Sequence, residues 1–199
     1  MTTQLVLVRH ATCARMDSVL FGRAVDSPLD QHGREQARAL ARTLASRADL
    51  VIEASPRRRT RQTAAAIAAA HGGHVRTSAA IDEIDFGRWS GCSFDTLQND
   101  PEWRYWNERR SAARTPSGIA IADVRDQLLR HLHESARSHP FRCIAIVTHA
   151  EIIRTLVMHW LNIPVDDYNL VQIRPASMTT ISMDGSGTRV EAVSECPAP

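Results

Sequence analysis

Three short apolar runs, each followed at once by polar or charged residues, constrain the fold of this chain more than any other feature. The runs lie at 4–8, 50–54 and 143–148, and they are too short for helices and rich in aliphatic residues. Apolar residues recur at helical spacing in the segments between them, such as 31–47 and 58–70. Buried strands that alternate with helices predict an α/β fold with a mostly parallel sheet covered on both faces.

The remaining elements are predicted from the same periodicity. Residues 121–132 and 153–160 each carry a stripe of apolar residues and are predicted to be helical. The stretch 170–183 is interpreted as one or two strands around Pro175. The tail after Asp184 is polar and contains proline, so we expect it to be frayed.

Residues 86–117 interrupt this alternation, and we expect them to form a lid on a single domain that spans 1–199. The segment is rich in aromatic residues and in arginines. We expect the aromatic residues to serve packing more than substrate stacking. The aromatic residues are Trp89, Phe94, Trp103, Tyr105 and Trp106, and the arginines are Arg88, Arg104, Arg109, Arg110 and Arg114. No nucleic-acid-binding motif accompanies the mixture, and the net charge is only +2, so a nucleic-acid partner is not expected.

Composition limits the class of protein further. With 43% hydrophobic and 23% charged residues, the chain has the balance of a folded globular protein. No apolar stretch is long enough to span a bilayer, and the N-terminus lacks the pattern of a signal peptide, so we expect a cytoplasmic protein without a membrane partner. The 4 cysteines match no zinc motif and are expected to be free thiols.

The polar residues that end the three apolar runs predict a site. Arg9 and His10 follow the first run, four arginines between 57 and 61 follow the second, and His149 follows the third. Ligands bind at the carboxyl ends of the strands in such sheets, so these groups are expected to meet at one edge.

Arginine and histidine together suit a phosphoryl group. Arginine binds phosphate oxygens with two parallel hydrogen bonds, and a histidine flanked by arginines is expected to stay neutral and nucleophilic. A proton donor for the leaving oxygen is also needed, and Asp82, Glu83 and Asp85 are the carboxylate candidates.

Five blocks of the sequence carry a resemblance to a known family. In order along the chain, from Leu5 to about Ser182, they are LVLVRHA, DSPLDQHGREQARAL, ASPRRRTRQTA, DEIDFGRWSG and VTHAEIIRTL. Together they resemble the histidine phosphatase superfamily, also called phosphoglycerate-mutase-like. The resemblance implies a three-layer α/β/α sandwich and hydrolysis of a small phosphorylated metabolite through a phosphohistidine, with no metal or other cofactor.

The resemblance also implies roles for the matched residues. His10 is the expected nucleophile, and Glu83 is the expected proton donor and later the base for water. Arg9, Arg59 and His149 are expected to bind the phosphoryl group.

Further arginines are candidates beside these residues. Arg23 is expected to be a further contact to substrate. Arg58 is the alternative to Arg59 if the match is displaced by one residue, whereas Arg57 and Arg61 are expected on a solvated helix face.

The chain departs from the family pattern at several positions. Ala11 and Ala150 replace glycines, and Met16 stands where many members carry a phosphate-binding asparagine. Residues 116–119 lack the glutamate of another family block. Two alternatives to a phosphatase remain at this stage: a phosphoglycerate mutase, and a phosphate-binding module without catalysis.

Overall fold

The fold is described from a computed structural model that covers residues 2–47 and 49–197. Its strands are β1 (Thr3–Arg9), β2 (Val51–Ala54), β3 (Val75–Thr77), β4 (Cys143–Thr148), β5 (Met178–Asp184) and β6 (Gly187–Glu195). They form one sheet in the order β3-β2-β4-β1-β5-β6. The first four strands of that order run parallel, while β5 and β6 are antiparallel to their neighbours. The predicted α/β fold with a mostly parallel sheet is confirmed.

The helices flank this sheet. They are α1 (Gln31–Leu44), α2 (Arg58–His71), α3 (Phe94–Gln98), α4 (Pro101–Glu108), α5 (Ile121–Ser138) and α6 (Ala150–Trp160), and shorter 3-10 turns lie at Ala79–Ile81, Gly87–Trp89 and Val165–Leu170. Within the described ranges, no helix has both the length and the apolar character that a membrane span requires.

Two hydrophobic cores cover the two faces of the sheet, because side chains alternate along each strand. Leu5 and Leu7 of β1 face the core built with α5 and α6, which also includes Leu128 and Leu156. Val6 and Val8 face the opposite core, built with α1 and α2. β4 divides its residues in the same way, so the central strands are buried on both faces.

The start of α1 is fixed by the loop that follows β1. Asp30 caps the helix by accepting a 2.6 Å hydrogen bond from the backbone N–H of Gly33. A Cβ atom at Gly33 would lie 2.1 Å from the carbonyl oxygen of Thr12, so only glycine permits this close approach. The helix ends at Leu44, earlier than the predicted 47.

The C-terminal part of the chain is more ordered than the sequence predicted. The prediction of a frayed tail after Asp184 is wrong: β6 pairs with β5, and its residues alternate between exposed and partly shielded along most of its length. Of the one or two strands predicted around Pro175, one is present, β5, whereas residues 171–177 form no strand and the chain turns there, with φ of 52° at Ala176. The short edge strand β3 was not predicted.

Residues 86–117 form α3, α4 and a 3-10 turn that pack onto the α5–α6 side of the sheet. Trp89 and Trp106 are completely buried, and the ring of Trp103 lies edge-on to Trp89 at 5.2 Å. Asp100 caps α4 and accepts a 3.0 Å hydrogen bond from the indole of Trp89. These contacts support the expectation that most aromatics of this segment serve packing.

Candidate active site

The carboxyl ends of three strands bring the predicted residues together. Arg9 of β1 is in register with Thr148 of β4, and the backbone N–H of His10 donates a 3.0 Å hydrogen bond to the Thr148 carbonyl. His10 and His149 therefore lie side by side, with ring centroids 5.4 Å apart. The end of β2 joins them, because the N–H of Ser55 donates to Val147 of β4.

The orientation of His10 leaves one ring nitrogen for chemistry. Its Nδ1 lies 2.8 Å from the carbonyl oxygen of Ala11, a contact that requires Nδ1 to carry the proton. Nε2 then keeps its lone pair. Burial, followed by the charges of Arg59 and Arg9, holds the pKa of His10 well below its ordinary value. This direction agrees with the neutral, nucleophilic imidazole expected from the sequence, although burial is the largest cause.

Arg9 and Arg59 present buried guanidinium groups to the same place. Arg9 is anchored by the carbonyl of Ile173 at 2.6 Å, and Arg59 by the carbonyls of Val25 and Gly22. Both Nε atoms are buried without a hydrogen-bond partner in the described part of the chain. A buried cationic donor without a partner costs free energy unless an anion occupies the site.

Exposure and contacts distinguish Arg59 from the neighbouring arginines. Arg58 and Arg61 are exposed, whereas Arg59 contacts His149 and lines the cavity of His10. The expectation of a solvated face is wrong for Arg57, whose guanidinium donates two hydrogen bonds, of 3.0 and 2.8 Å, to the carboxylate of Asp82.

Hydrogen bonds link the Asp82 carboxylate of this ion pair to His149. The sequence analysis did not predict this link. The hydroxyl of Ser55 donates to Asp82 at 3.0 Å and lies 2.7 Å from Nε2 of His149. Since the hydroxyl has one proton to give, His149 Nε2–H donates to Ser55. Nδ1 of His149 is then free to accept from Nη2 of Arg59 at 3.2 Å. The three-residue relay Asp82–Ser55–His149 fixes the tautomer and the position of this histidine.

Glu83 lies next to His149, with Oε2 3.7 Å from Nδ1. Burial raises the pKa of Glu83 to about 7, partly opposed by the charge of Arg59. A carboxyl group with this pKa can both give and take a proton near neutral pH. Of the other two carboxylate candidates, Asp82 is paired with Arg57, and Asp85 accepts hydrogen bonds from the Gly87 backbone and the Ser117 hydroxyl.

Arg23 lies outside the cavity that contains His10. Its Nε donates a 2.6 Å hydrogen bond to the carbonyl of Glu83, and its half-exposed side chain lines a neighbouring cavity with Asp82 and Asp85. The structure thus gives Arg23 a contact with the backbone of the catalytic candidate. Direct contact with substrate stays a prediction.

A cavity of about 220 Å³ surrounds the candidate nucleophile. Arg9, His10, Arg59 and Glu83 are part of its lining. The rest of the lining comes from Met16, Val19, Leu20, Phe21, Gly22, Phe94, Ala150, Glu151 and Arg154. Met16 therefore gives the cavity an apolar wall where many family members carry an asparagine.

No metal centre is apparent in residues 2–47 and 49–197, where no group of three or more histidine, cysteine or acidic residues is arranged to hold an ion. The four cysteines, all of them described, are free thiols as expected.

Comparison with known proteins identifies the family of the chain. The family model described as "Histidine phosphatase superfamily (branch 1)" matches residues 5–195. Phosphoserine phosphatase 1 of Hydrogenobacter thermophilus is 29% identical over 91% of this chain and 87% of its own length. Glucosyl-3-phosphoglycerate phosphatase of Mycolicibacterium vanbaalenii is 28% identical over 83% and 77%. The native structure of a mycobacterial glucosyl-3-phosphoglycerate phosphatase superposes with a TM-score of 0.85 at 25% identity, over 98% of this chain and 99% of that one.

The chain belongs to the histidine phosphatase superfamily. It is a phosphomonoester hydrolase that acts on small phosphorylated metabolites through a phosphohistidine intermediate.

Proposed function

We propose that His10 is the residue that carries the phosphoryl group. Nε2 attacks phosphorus, the P–N bond forms, and the bond from phosphorus to the leaving oxygen breaks. The buried donors of Arg9 and Arg59 bind the phosphoryl oxygens and compensate the charge that develops on them. His149, held by Ser55, accepts a hydrogen bond from Nη2 of Arg59 and so helps to orient that guanidinium at the phosphoryl site.

Glu83 supplies and recovers the proton in this proposal. It protonates the leaving alkoxide in the first step and becomes a carboxylate. In the second step it takes a proton from water, the hydroxide attacks phosphorus, and the P–N bond breaks to release inorganic phosphate and neutral His10. The observation that carries the proposal is the placement of Glu83, with a pKa of about 7, in the same cavity as the free nitrogen of His10.

The wider setting of the enzyme is part of the proposal. The chain acts as one domain over residues 1–199, with 86–117 as a lid that shapes the substrate side. It works in the cytoplasm on a small phosphorylated metabolite, without nucleic-acid or membrane partners. The reaction needs no metal ion, because the two buried arginines already neutralise the phosphoryl group.

One assay series tests the type of reaction. The protein is incubated with p-nitrophenyl phosphate, and separately with 3-phosphoglycerate plus a trace of the 2,3-bisphosphate. Release of inorganic phosphate without isomerisation supports the phosphatase. Isomerisation to 2-phosphoglycerate would identify a mutase, and no turnover of either substrate would favour a binding module. Phosphoserine and glucosyl-3-phosphoglycerate extend the panel, because similar proteins are named for them.

A further inference from the structure

Glu83 differs from the two histidines of the site in how its backbone is held. His10 and His149 directly follow β1 and β4, whereas residues 82–86 form neither a helix nor a strand. A proton donor must lie within hydrogen-bond reach of the leaving oxygen. The position of Glu83 therefore depends on contacts that the irregular segment makes with the rest of the chain.

Two charged side chains fix the peptide groups on either side of Glu83. Its backbone N–H donates a 2.8 Å hydrogen bond to Oδ1 of Asp82, and its carbonyl accepts a 2.6 Å hydrogen bond from Nε of Arg23. In the side chain, Oε1 accepts from the backbone N–H of Ile84 at 3.0 Å, and Oε2 lies near His149. Contacts to both peptide groups limit rotation about the two free backbone bonds of Glu83 and so direct its carboxyl group.

These two contacts belong to a closed ring of hydrogen bonds. Arg57, at the start of α2, donates to both carboxylate oxygens of Asp82, and its Nη1 donates a 2.9 Å hydrogen bond to the backbone carbonyl of Arg23. Nε of Arg23 also lies 3.7 Å from Oδ2 of Asp82. The ring thus ties Glu83 to the start of α2, and Arg23 is the residue that closes it.

Arg23 belongs to a loop that also contacts the lid and the catalytic cavity. We refer to residues 18–26 as the Arg23 loop. The N–H of Leu20 donates a 3.0 Å hydrogen bond to the carbonyl of Cys92 in the lid, and the carbonyl of Leu20 accepts a 2.7 Å hydrogen bond from the N–H of Gly91. The side of the loop formed by Leu20 lines the cavity. A displacement of the lid would therefore reach the proton donor through Arg23.

We infer that Arg23 is a positioning residue, which holds the proton donor Glu83 within reach of the leaving oxygen and connects its placement to the lid. The side chain of Arg23 is half-exposed, so water and salt screen its charge and the hydrogen bond from Nε carries this role. A misplacement of about 1 Å can lower a rate about 10²-fold, so one backbone contact beside the acid is sufficient to affect catalysis. The inference rests on the proposed function, because it concerns the acid of that reaction.

Two substitutions separate the hydrogen bond from the rest of the side chain. Arg23→Met keeps the length of the side chain as far as Nε without a donor, whereas Arg23→Gln places an amide N–H at the position of Nε. Single-turnover phosphorylation is measured with phenyl phosphate and with p-nitrophenyl phosphate, whose leaving oxygen needs a proton less. Arg23→Met is expected to slow phosphorylation by phenyl phosphate about tenfold and by p-nitrophenyl phosphate less than about threefold. Arg23→Gln should restore both rates to within about threefold of the unaltered enzyme.

Arg61→Met, at an exposed position of α2, is the matched control and should leave both rates unchanged. The burst of p-nitrophenol counts the folded active sites in each preparation, so the rates refer to folded enzyme even if a variant is less stable. Equal losses with both substrates, or an equal loss in Arg23→Gln and Arg23→Met, would indicate a direct contact to substrate and would overturn the inference. Unchanged rates in Arg23→Met would overturn it as well.

A double-mutant cycle tests whether Arg23 acts through Glu83. In Glu83→Gln, the further change Arg23→Met is expected to alter phosphorylation by phenyl phosphate less than about twofold, because the residue that Arg23 positions can no longer give a proton. A full tenfold loss in that background would show that Arg23 acts elsewhere and would overturn the inference. The single variants separate the two failures. Glu83→Gln without any leaving-group selectivity overturns the proposed function, whereas selectivity in Glu83→Gln without any in Arg23→Met overturns the role of Arg23 alone.

Discussion

The two sides of the catalytic cavity, the strand ends on one and segment 86–117 with its neighbouring turns on the other, are built in different ways. On the phosphoryl side, His10 and His149 directly follow parallel strands, and β-sheet register sets their positions through backbone hydrogen bonds. On the other side, Phe94, Arg110 and Tyr168 come from short helices and turns outside the sheet, and they line this cavity or the adjoining one. An ion pair with Glu151 and stacking on Tyr168 position Arg110.

This difference separates the groups that carry out the reaction from the groups that select the substrate. Groups fixed by the sheet act on the phosphoryl unit that every substrate shares, so their loss should impair all substrates. Groups from segment 86–117 and the turns are expected to face the part of the substrate that varies, so their loss should change the ratio between substrates. The predictions below test this separation, starting with the largest effect.

Loss of the nucleophile should be the most severe change. His10→Ala is expected to lower turnover by about 10³-fold or more for every phosphomonoester, because no other route to the phosphohistidine remains. The measurement is steady-state hydrolysis of p-nitrophenyl phosphate and 3-phosphoglycerate. His32→Ala, at an exposed position of α1, is the matched control. If His10→Ala kept activity toward one leaving group and not toward another, the claim that His10 acts on all substrates alike would be wrong.

Glu83→Gln should distinguish leaving groups although Glu83 lies on the phosphoryl side, because only an alkoxide needs its proton. Single-turnover phosphorylation of the enzyme should slow about 10²- to 10⁴-fold more for an alkyl phosphate than for p-nitrophenyl phosphate, the usual range of general acid catalysis. Dephosphorylation should slow equally after either substrate. Asp85→Asn should show no leaving-group dependence, and neither should Asp82→Asn. A selective loss in either of these variants, without one in Glu83→Gln, would move the acid to that residue.

Ser55→Ala should have an intermediate effect that is the same for all substrates. The change removes the acceptor for Nε2–H of His149, and a lost hydrogen bond in a charged, buried network corresponds to about 10- to 100-fold in kcat/KM. Thermal unfolding of the variant separates this loss from misfolding. A folded Ser55→Ala enzyme with unchanged kinetics would show that the relay does not position His149.

The pH dependence should be the smallest of these effects within one pH unit of neutrality. Glu83 must be protonated to act as an acid, and its pKa is about 7, so phosphorylation by an alkyl phosphate should fall as pH rises above 7. The fall approaches about tenfold per pH unit well above the pKa. Phosphorylation by p-nitrophenyl phosphate should lack this limb in stopped-flow measurements. His10 stays neutral well below pH 6.5, so neither substrate should show a loss near that value. A fall in the phosphorylation rate above pH 7 with both substrates would assign this pH dependence to a group other than Glu83.

The same contrast explains what the sequence could and could not predict. Apolar runs that stop at Arg9–His10, at Ser55 and at His149 predicted both the sheet and the meeting of these groups, because strand ends leave little freedom. The resemblance then singled out Glu83 and Arg59, and the structure places both of them in the cavity of His10. The edge strand β6 was missed, since its alternation is only half-buried and follows a polar turn.

Side-chain partnerships were harder to predict than backbone positions. Arg57 and Asp82 are 25 residues apart in sequence, and nothing in the local pattern of either residue indicates their ion pair. Arg110 and Glu151 are 41 apart and meet only because the lid folds against α6. Such pairs depend on how irregular segments pack, which periodicity does not encode.

The site of the phosphoenzyme is the most direct test of the mechanism. Glu83→Gln should be phosphorylated by p-nitrophenyl phosphate and should then hydrolyse slowly, so that the intermediate accumulates. After alkaline quench and proteolysis, mass spectrometry should find an acid-labile, base-stable phosphate on the peptide that contains His10, and none in Glu83→Gln that also carries His10→Ala. Phosphate on His149 or on another residue, or hydrolysis without any phosphoenzyme, would contradict the mechanism.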